Sequence, residues 1–109
     1  MAKNRIRLPK LLACEVSTGH ISQHDNDTLE MMAKGERDNL PFPVHTYDYG
    51  FYIPILSPDS VQVLLDGMKR FSLSQECQNL VKLASEQGFR LLAIDRDGPE
   101  VDGLPTFEW

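Results

Sequence analysis

The sequence predicts a small α/β domain, in which a mixed, partly parallel sheet of three to five strands packs with about three helices. Two mainly apolar runs of strand length lie at 11–16 and 89–94, near opposite ends of the chain. An aromatic stretch with strand period and several segments with helix period lie between them. With 109 residues, 41% of them hydrophobic and 25% charged, the chain has the length and composition of one folded domain.

The charge distribution divides the chain into a basic arm, residues 1–9, and a single α/β domain, residues 10–109. Four basic residues and no acid lie in the first ten: Lys3, Arg5, Arg7 and Lys10. The rest of the chain has seven basic and sixteen acidic residues, a net charge of −9. Because an acidic body repels phosphate backbones, we do not expect nucleic-acid binding except through the arm.

The first half predicts a strand, a helix and an aromatic strand or hairpin. The run at 11–16 predicts a strand buried on both faces. Ser22 has an acid three residues later and is typical of a helix N-cap, and Gly35 is expected to end that helix. The alternating residues Tyr47, Tyr49, Phe51, Ile53 and Ile55 predict one strand face that covers the core or contacts a partner, and Gly50 permits a bend or hairpin turn.

The second half predicts two helices, a strand and a docked tail. Ser57-Pro58-Asp59 is a helix start, and Ser72 with Gln75 resembles a capping box for the next helix. The runs 11–16 and 89–94 are expected to be neighbouring parallel strands in the sheet centre. The tail is expected to dock through Leu104, Phe107 and Trp109, with residues 106–109 as a short edge strand.

Cysteine usage and hydropathy favour a cytoplasmic protein without a membrane segment. Cys14 and Cys77 are far apart, belong to no CxxC pair and are expected to be reduced and buried. No apolar run approaches the ~18 residues that span a bilayer, and the first residues lack the apolar stretch of a signal peptide.

Two segments carry a resemblance to a known family: ACEVSTGHIS, residues 13–22, and AIDRDGPEVDGLPTFEW, residues 93–109. They resemble a family of small uncharacterised proteins of proteobacterial plasmids, integrative elements and genomic islands. In that family an S-T-[AG]-H-[IV] loop follows a strand, and the chain ends in D-R-D-G-P…L-P-x-[FY]-[DE]-W. The resemblance implies a genomic context and no chemistry.

The loop after the first strand is the first candidate ligand site. Backbone N–H groups at a helix start hold anions, and hydroxyl groups add donors there. Its residues are Ser17, Thr18, Gly19, His20 and Ser22. The chain has no P-loop, and Asp25 and Asp27 oppose an anion. The alternative interpretation is turn and cap chemistry, with His20 hydrogen-bonded to the backbone.

The loop after the last strand is the second candidate site and contains Asp95, Arg96 and Asp97. The D-R-D-G pattern is similar to the first motif of haloacid-dehalogenase-type phosphatases, but Pro99 replaces the usual threonine and no room remains for their later motifs. Weak cation binding and a tight turn are the other interpretations.

A metal or nucleophile site would have to use His20. His20 and His24 are four residues apart, and a zinc site would need a third ligand such as Cys14, Asp25 or His45. A nucleophilic pair of Cys14 or Cys77 with His20 is equally incomplete. We therefore expect no metal, no cofactor and no catalytic set.

Two function hypotheses follow. The first is a non-enzymatic cytoplasmic accessory protein of a mobile genetic element that binds a partner protein. The alternative is a small enzyme or ligand-binding domain that uses the two strand-end loops. A concave polar pocket where the loops meet would favour the alternative.

Overall fold

A computed structural model describes residues 6–35, 42–55 and 57–109. It contains four strands and three helices, with one-turn 3₁₀ helices at Thr18–His20 and Pro58–Ser60. In chain order the elements are β1 (Ala13–Ser17), α1 (Gln23–Ala33), β2 (His45–Tyr47), β3 (Gly50–Pro54), α2 (Val61–Arg70), α3 (Gln75–Glu86) and β4 (Leu91–Asp95). The predicted fold class is confirmed. The expectations for Lys3, Arg5 and the loop at 36–41 lie outside the described residues.

The sheet has the strand order β1-β4-β3-β2. Strand β1 is parallel to β4, whereas β3 is antiparallel to both β4 and β2. The predicted parallel pairing of the two apolar runs is therefore confirmed. The expectation that both lie in the sheet centre is wrong for β1, which is an edge strand, because the β2–β3 hairpin adds to the other side of β4.

All three helices pack on one face of the sheet. Val16, Phe51, Ile53, Leu92 and Ile94 alternate along their strands, so they share this face, and they belong to one buried core with the helix residues. The predicted stripes of the helices are in that core, including Leu29, Met68 and Val81. Among the described helices, none has the length and apolar character that would let it cross a bilayer.

The opposite face of the sheet has no helix on it in the part of the chain that the structure describes. Glu15, Ala93 and Tyr52 form one row across β1, β4 and β3 on this side. Burial on both faces was therefore a wrong expectation for β1, where Glu15 is exposed, whereas in β4 Ala93 is buried on this side although no described helix covers it. Leu11 and Leu12, which prompted it, precede β1 and are 66% and 58% exposed.

A two-residue loop, Asp48 and Tyr49, joins β2 to β3, since Tyr47 pairs with Gly50. This turn breaks the expected alternation: Phe51 is buried, while Tyr49 is 53% exposed and does not cover the core. Gly50 is required because a Cβ there would lie 1.8 Å from the carbonyl oxygen of Ile94. The hairpin and the central strand therefore approach each other closely at this point.

The helix starts agree only in part with the sequence. Ser22 and Asp25 form a capping box at the start of α1, as expected for an N-cap serine. For α3 the N-cap is Ser74 and not Ser72, which has a φ of 60° in the turn after α2. Leu73, between the two serines, is 3% exposed. The three-residue spacing of Ser72 and Gln75 therefore does not mark a capping box.

Cys77 is fully buried on α3 and Cys14 is half-buried on β1, and both thiols are free. The expected burial is correct for Cys77 and overstated for Cys14, because β1 lies at the sheet edge. Residues 106–109 do not form the expected edge strand.

Candidate functional site

The carboxyl ends of β1 and β4 lie side by side, because the strands are parallel neighbours and Ser17 pairs with Asp95. The two candidate loops therefore meet at one edge of the sheet. Ser17 N–H donates to Pro99 O over 2.9 Å. A Cβ on Gly98 would lie 2.7 Å from the carbonyl oxygen of Val16, so this glycine permits the contact. The juxtaposition that a shared site requires is present.

The hydroxyl groups of the first loop act as caps for their own backbone. Ser17 Oγ accepts the Gly19 N–H at 2.9 Å, which caps the 3₁₀ turn. Ser22 Oγ accepts the Asp25 N–H at 3.1 Å, and the Asp25 carboxylate accepts the Ser22 N–H at 3.0 Å. These contacts agree with the turn and cap interpretation of the loop.

His20 is 1% exposed, and both of its ring nitrogens are bound to the C-terminal tail. Nδ1 lies 2.8 Å from Pro105 O, and Nε2 accepts the Val101 N–H at 2.8 Å. A carbonyl oxygen can only accept, which assigns the ring hydrogen to Nδ1. Neither nitrogen is left for a metal or a nucleophile. The described residues contain no group of three His, Cys, Asp or Glu side chains that could hold a metal ion.

Asp25 is a fully buried carboxylate that joins the starts of two helices. Besides Ser22, it accepts the Ser74 N–H at 2.8 Å and the Ser74 hydroxyl at 2.5 Å. Ser74 is the N-cap of α3, so one carboxylate serves both helix N-termini. Sequence reasoning placed Asp25 in the first turn of α1, but it had no signal for a partner 49 residues away.

Asp95 links the turn after β4 to the β2–β3 hairpin. Its carboxylate accepts the Tyr47 hydroxyl at 2.5 Å and the Asp97 N–H at 2.7 Å. These hydrogen bonds, that of Tyr47 first, hold the pKa of Asp95 below its ordinary value. Burial and the bond to Asp95 raise the pKa of Tyr47. Tyr47 was not among the predicted site residues.

Arg96 makes a second link between the same two turns. Its Nη2 donates to Asp48 O over 2.7 Å, and its backbone N–H donates to Tyr49 O over 2.8 Å. The guanidinium lies 5.9 Å from the centre of the Tyr49 ring. Arg96 therefore fixes the hairpin loop against the end of β4.

A polar cavity of about 210 Å³ opens beside these links. Thr18 and Arg96 are the only two of the eight predicted ligand-binding residues that line it. The other polar walls come from α1 and the β2–β3 hairpin: Asn26, Glu30, Thr46 and Asp48. The cavity is smaller than the ~300–1,000 Å³ of typical small-molecule sites, and two acids oppose its one cation.

The face of the sheet opposite the helices, which we call the uncovered face, contains Glu15, His45, Tyr47, Tyr52 and Ala93. The rings of Tyr47 and Tyr52 stack with their centres 4.4 Å apart and their planes at 17°. Both tyrosines are partly exposed. This aromatic pair on an accessible sheet surface was not predicted, because the hairpin turn that brings the rings together was left open.

Residues 13–109 match the model of a protein family described as "Family of unknown function (DUF5983) C-terminal domain". The match covers both candidate loops and all seven helices and strands. No curated protein and no solved structure matches the chain.

Proposed function

The chain belongs to the DUF5983 family of unknown function, and we propose that this domain is a non-enzymatic binding domain that docks a partner protein on the uncovered face. The observation that carries the proposal is the stacked pair Tyr47 and Tyr52, which lies on a sheet surface that no described helix covers. Tyrosines on accessible surfaces are common anchors of protein interfaces, since they bury much area and lose little rotamer entropy.

The state of the loop residues supports a role without catalysis. Ser17, Ser22, His20 and Asp95 all hydrogen-bond to their own chain, so the loops use their chemistry to hold the fold together. An active site requires at least one nucleophile, base or acid that faces a substrate. Among these loop residues, Asp97 keeps an exposed side chain, and a lone carboxylate does not make a catalytic set.

The charge of the domain indicates the chemistry of the partner. Two acids lie on the uncovered face, Glu15 on β1 and Asp95 at the end of β4, and the chain after residue 10 carries sixteen acids against seven bases. A partner surface with basic residues around an aromatic or apolar centre would complement it.

The resemblance to proteins of plasmids and genomic islands supports a biological setting for this role. We place the domain in the cytoplasm as an accessory protein of a mobile genetic element. Its partner would then be a protein of the host or of the element.

Site-specific photocrosslinking tests the proposal. Benzoylphenylalanine replaces Tyr52 on the uncovered face or, as the control, Lys82 on the outer side of α3. Irradiation in host cells should give one discrete adduct at position 52 and none at position 82. Mass spectrometry identifies the partner protein in the adduct. The purified partner is then mixed with the purified chain, and the Kd of their complex is measured by calorimetry.

The reconstituted complex must depend on the tyrosine pair. We expect Tyr52→Ser to weaken it about tenfold or more, the range of an interface anchor, while Lys82→Ser leaves the Kd unchanged. No discrete adduct at position 52, or equal affinity of the Tyr52→Ser chain, would overturn the proposal.

The cavity beside Thr18 and Arg96 favours ligand binding as a second candidate function. Its arrangement, a polar concavity where the two loops meet, is the feature expected of a strand-end site. Titration with inorganic phosphate and with nucleotides, followed by amide shifts, tests it. Shifts confined to the cavity that disappear in Asn26→Leu would support a ligand site, and no saturable shift would exclude these ligands.

A further inference from the structure

The outer edge of β1 is an unpaired strand edge on the side away from β4. At its end the Ser17 N–H is bound to Pro99 O, so the tail closes the edge only there. Natural proteins cover, shorten or charge such edges, because a row of free backbone groups is a template for another strand. Along residues 13–16 the described residues supply no second strand.

An apolar groove of about 230 Å³ runs beside this edge, between β1, α3 and the tail. Cys14 and Val16 form its floor on the helix side of the sheet, and Leu83, Ala84, Val101 and Leu104 form its walls. Leu83 and Val101 are 37% and 39% exposed. A strand added to β1 would direct every second side chain into this groove, since side chains alternate along a strand.

A strand added to β1 could come from a second copy of this chain or from another protein, and charge distinguishes the two. In a symmetric antiparallel pairing of two copies along the whole strand, Glu15 at the centre of β1 would lie opposite Glu15 of the other copy. Like charges directly opposite each other destabilise a sheet, so the edge disfavours self-pairing. Among the residues beside the groove Glu15 alone is charged, with its side chain on the uncovered face, and Glu100 and Asp102 lie exposed on either side of Val101.

We propose that an extended segment of another protein, with alternating apolar and basic residues, adds to β1 as a further strand. Its backbone pairs with the free edge, its apolar side chains enter the groove, and a basic side chain lies opposite Glu15. This surface is at the other end of the sheet from the tyrosine pair, so the inference is separate from the docking proposed on the uncovered face.

Synthetic peptides of about six residues, a common strand length, test the inference on the full chain. The probe alternates Lys and Val. One control has the same composition with the lysines and valines in separate blocks, and a second has N-methyl groups on alternate backbone amides, which blocks strand pairing. We expect saturable amide shifts at β1 and the groove with the alternating peptide, and much weaker ones with both controls.

A charge exchange makes the test specific. Glu15→Lys should weaken binding of the Lys–Val peptide about fivefold and strengthen binding of a Glu–Val peptide, as expected of a cross-strand pair. Asp66→Lys, an equal charge change on α2, should leave both affinities unchanged. Because Glu15 is exposed, the fold of the variant should be intact, which circular dichroism checks.

Three results would overturn the inference. They are the absence of binding by the Lys–Val peptide, equal binding of the N-methylated peptide, and a dimer in sedimentation that the Glu15→Lys change disrupts or strengthens. None of them bears on the crosslinking at Tyr52, so the two proposals fail separately.

Discussion

Asp25 shows how a single buried carboxylate holds two helices that are distant in the chain. It accepts hydrogen bonds from Ser22 at the start of α1 and from Ser74 at the start of α3. Helix N-termini present free N–H groups and a positive dipole end, so a carboxylate shared by two of them is favourable without a cation.

Asp25→Ala should therefore lower the free energy of unfolding by about 3–5 kcal/mol, because it leaves three partly buried donors, the N–H groups of Ser22 and Ser74 and the Ser74 hydroxyl, without their acceptor. Asp27→Ala is the matched control, since Asp27 lies two residues further along α1, is exposed and contributes a few tenths of a kcal/mol at most. Urea unfolding measures both. Equal effects of the two substitutions would contradict the assigned role of Asp25.

The bond between Tyr47 and Asp95 should be visible in the titration of Asp95. The bond holds the folded pKa below the unfolded value of about 3.9. Its contribution to stability is thus complete above the unfolded pKa and is lost as the pH falls through the folded pKa. Tyr47→Phe should raise the pKa of Asp95 toward its ordinary value, as followed by carboxyl ¹³C shifts. Tyr52→Phe keeps both the Tyr47 bond and the stacked ring and should leave the pKa of Asp95 unchanged; an equal shift in this variant would contradict the role assigned to the Tyr47 bond.

Among the elements, those with local signals were predicted and those with distant partners were not. The apolar runs of β1 and β4, the stripes of the helices and the Ser22 cap are readable within one or two turns of chain. Whether a strand lies at the edge or the centre depends on where the hairpin docks. The sequence feature that relates to this docking is Gly50, because a side chain there would collide with the backbone of β4 at Ile94.

The candidate site was predicted in position but not in chemistry. Parallel strands bring the loops after β1 and β4 to one edge, as their order along the chain implied. The side chains there turned out to bind backbone groups of the tail and the hairpin. Nothing in the sequence places Val101 and Pro105 on the two sides of the His20 ring, because this contact spans 81 residues or more.

The C-terminal tail depends on His20 as its internal anchor. In His20→Ala the Val101 N–H and the Pro105 carbonyl lose their partners, and a buried space forms between the loop and the tail. We expect a loss of about 3 kcal/mol and a fall of the melting temperature by more than ~10 °C. The exposed His24 is the control, and His24→Ala should change stability by less than ~0.5 kcal/mol. A melting temperature of His20→Ala within a few degrees of the parent would mean that other contacts hold the tail.

For the whole molecule, the open question is whether the tail and the body unfold together. The sequence predicted that the tail docks, and the structure confirms it: Phe107 N–H donates to Gly19 O and Trp109 Nε1–H donates to Ile21 O over 2.9 Å. Trp109 nevertheless remains 53% exposed, so it anchors the tail with only part of its surface. Its native emission should accordingly be only partly blue-shifted, and still move to the red on unfolding.

Because the tail binds a buried histidine and Leu104 packs against the core, we expect one cooperative transition for body and tail. In a Cys14→Ser chain, Cys77 is the only thiol. Burial raises the pKa of Cys77, so in the folded chain it stays protonated and unreactive at mildly alkaline pH, and its labelling reports opening of the core. Helical circular dichroism, Trp109 emission and Cys77 labelling should share one urea midpoint. If Trp109 emission changed at a lower urea concentration than the other two, the tail would be a separate unit that opens first, and His20 would be exposed to ligands in the intact body.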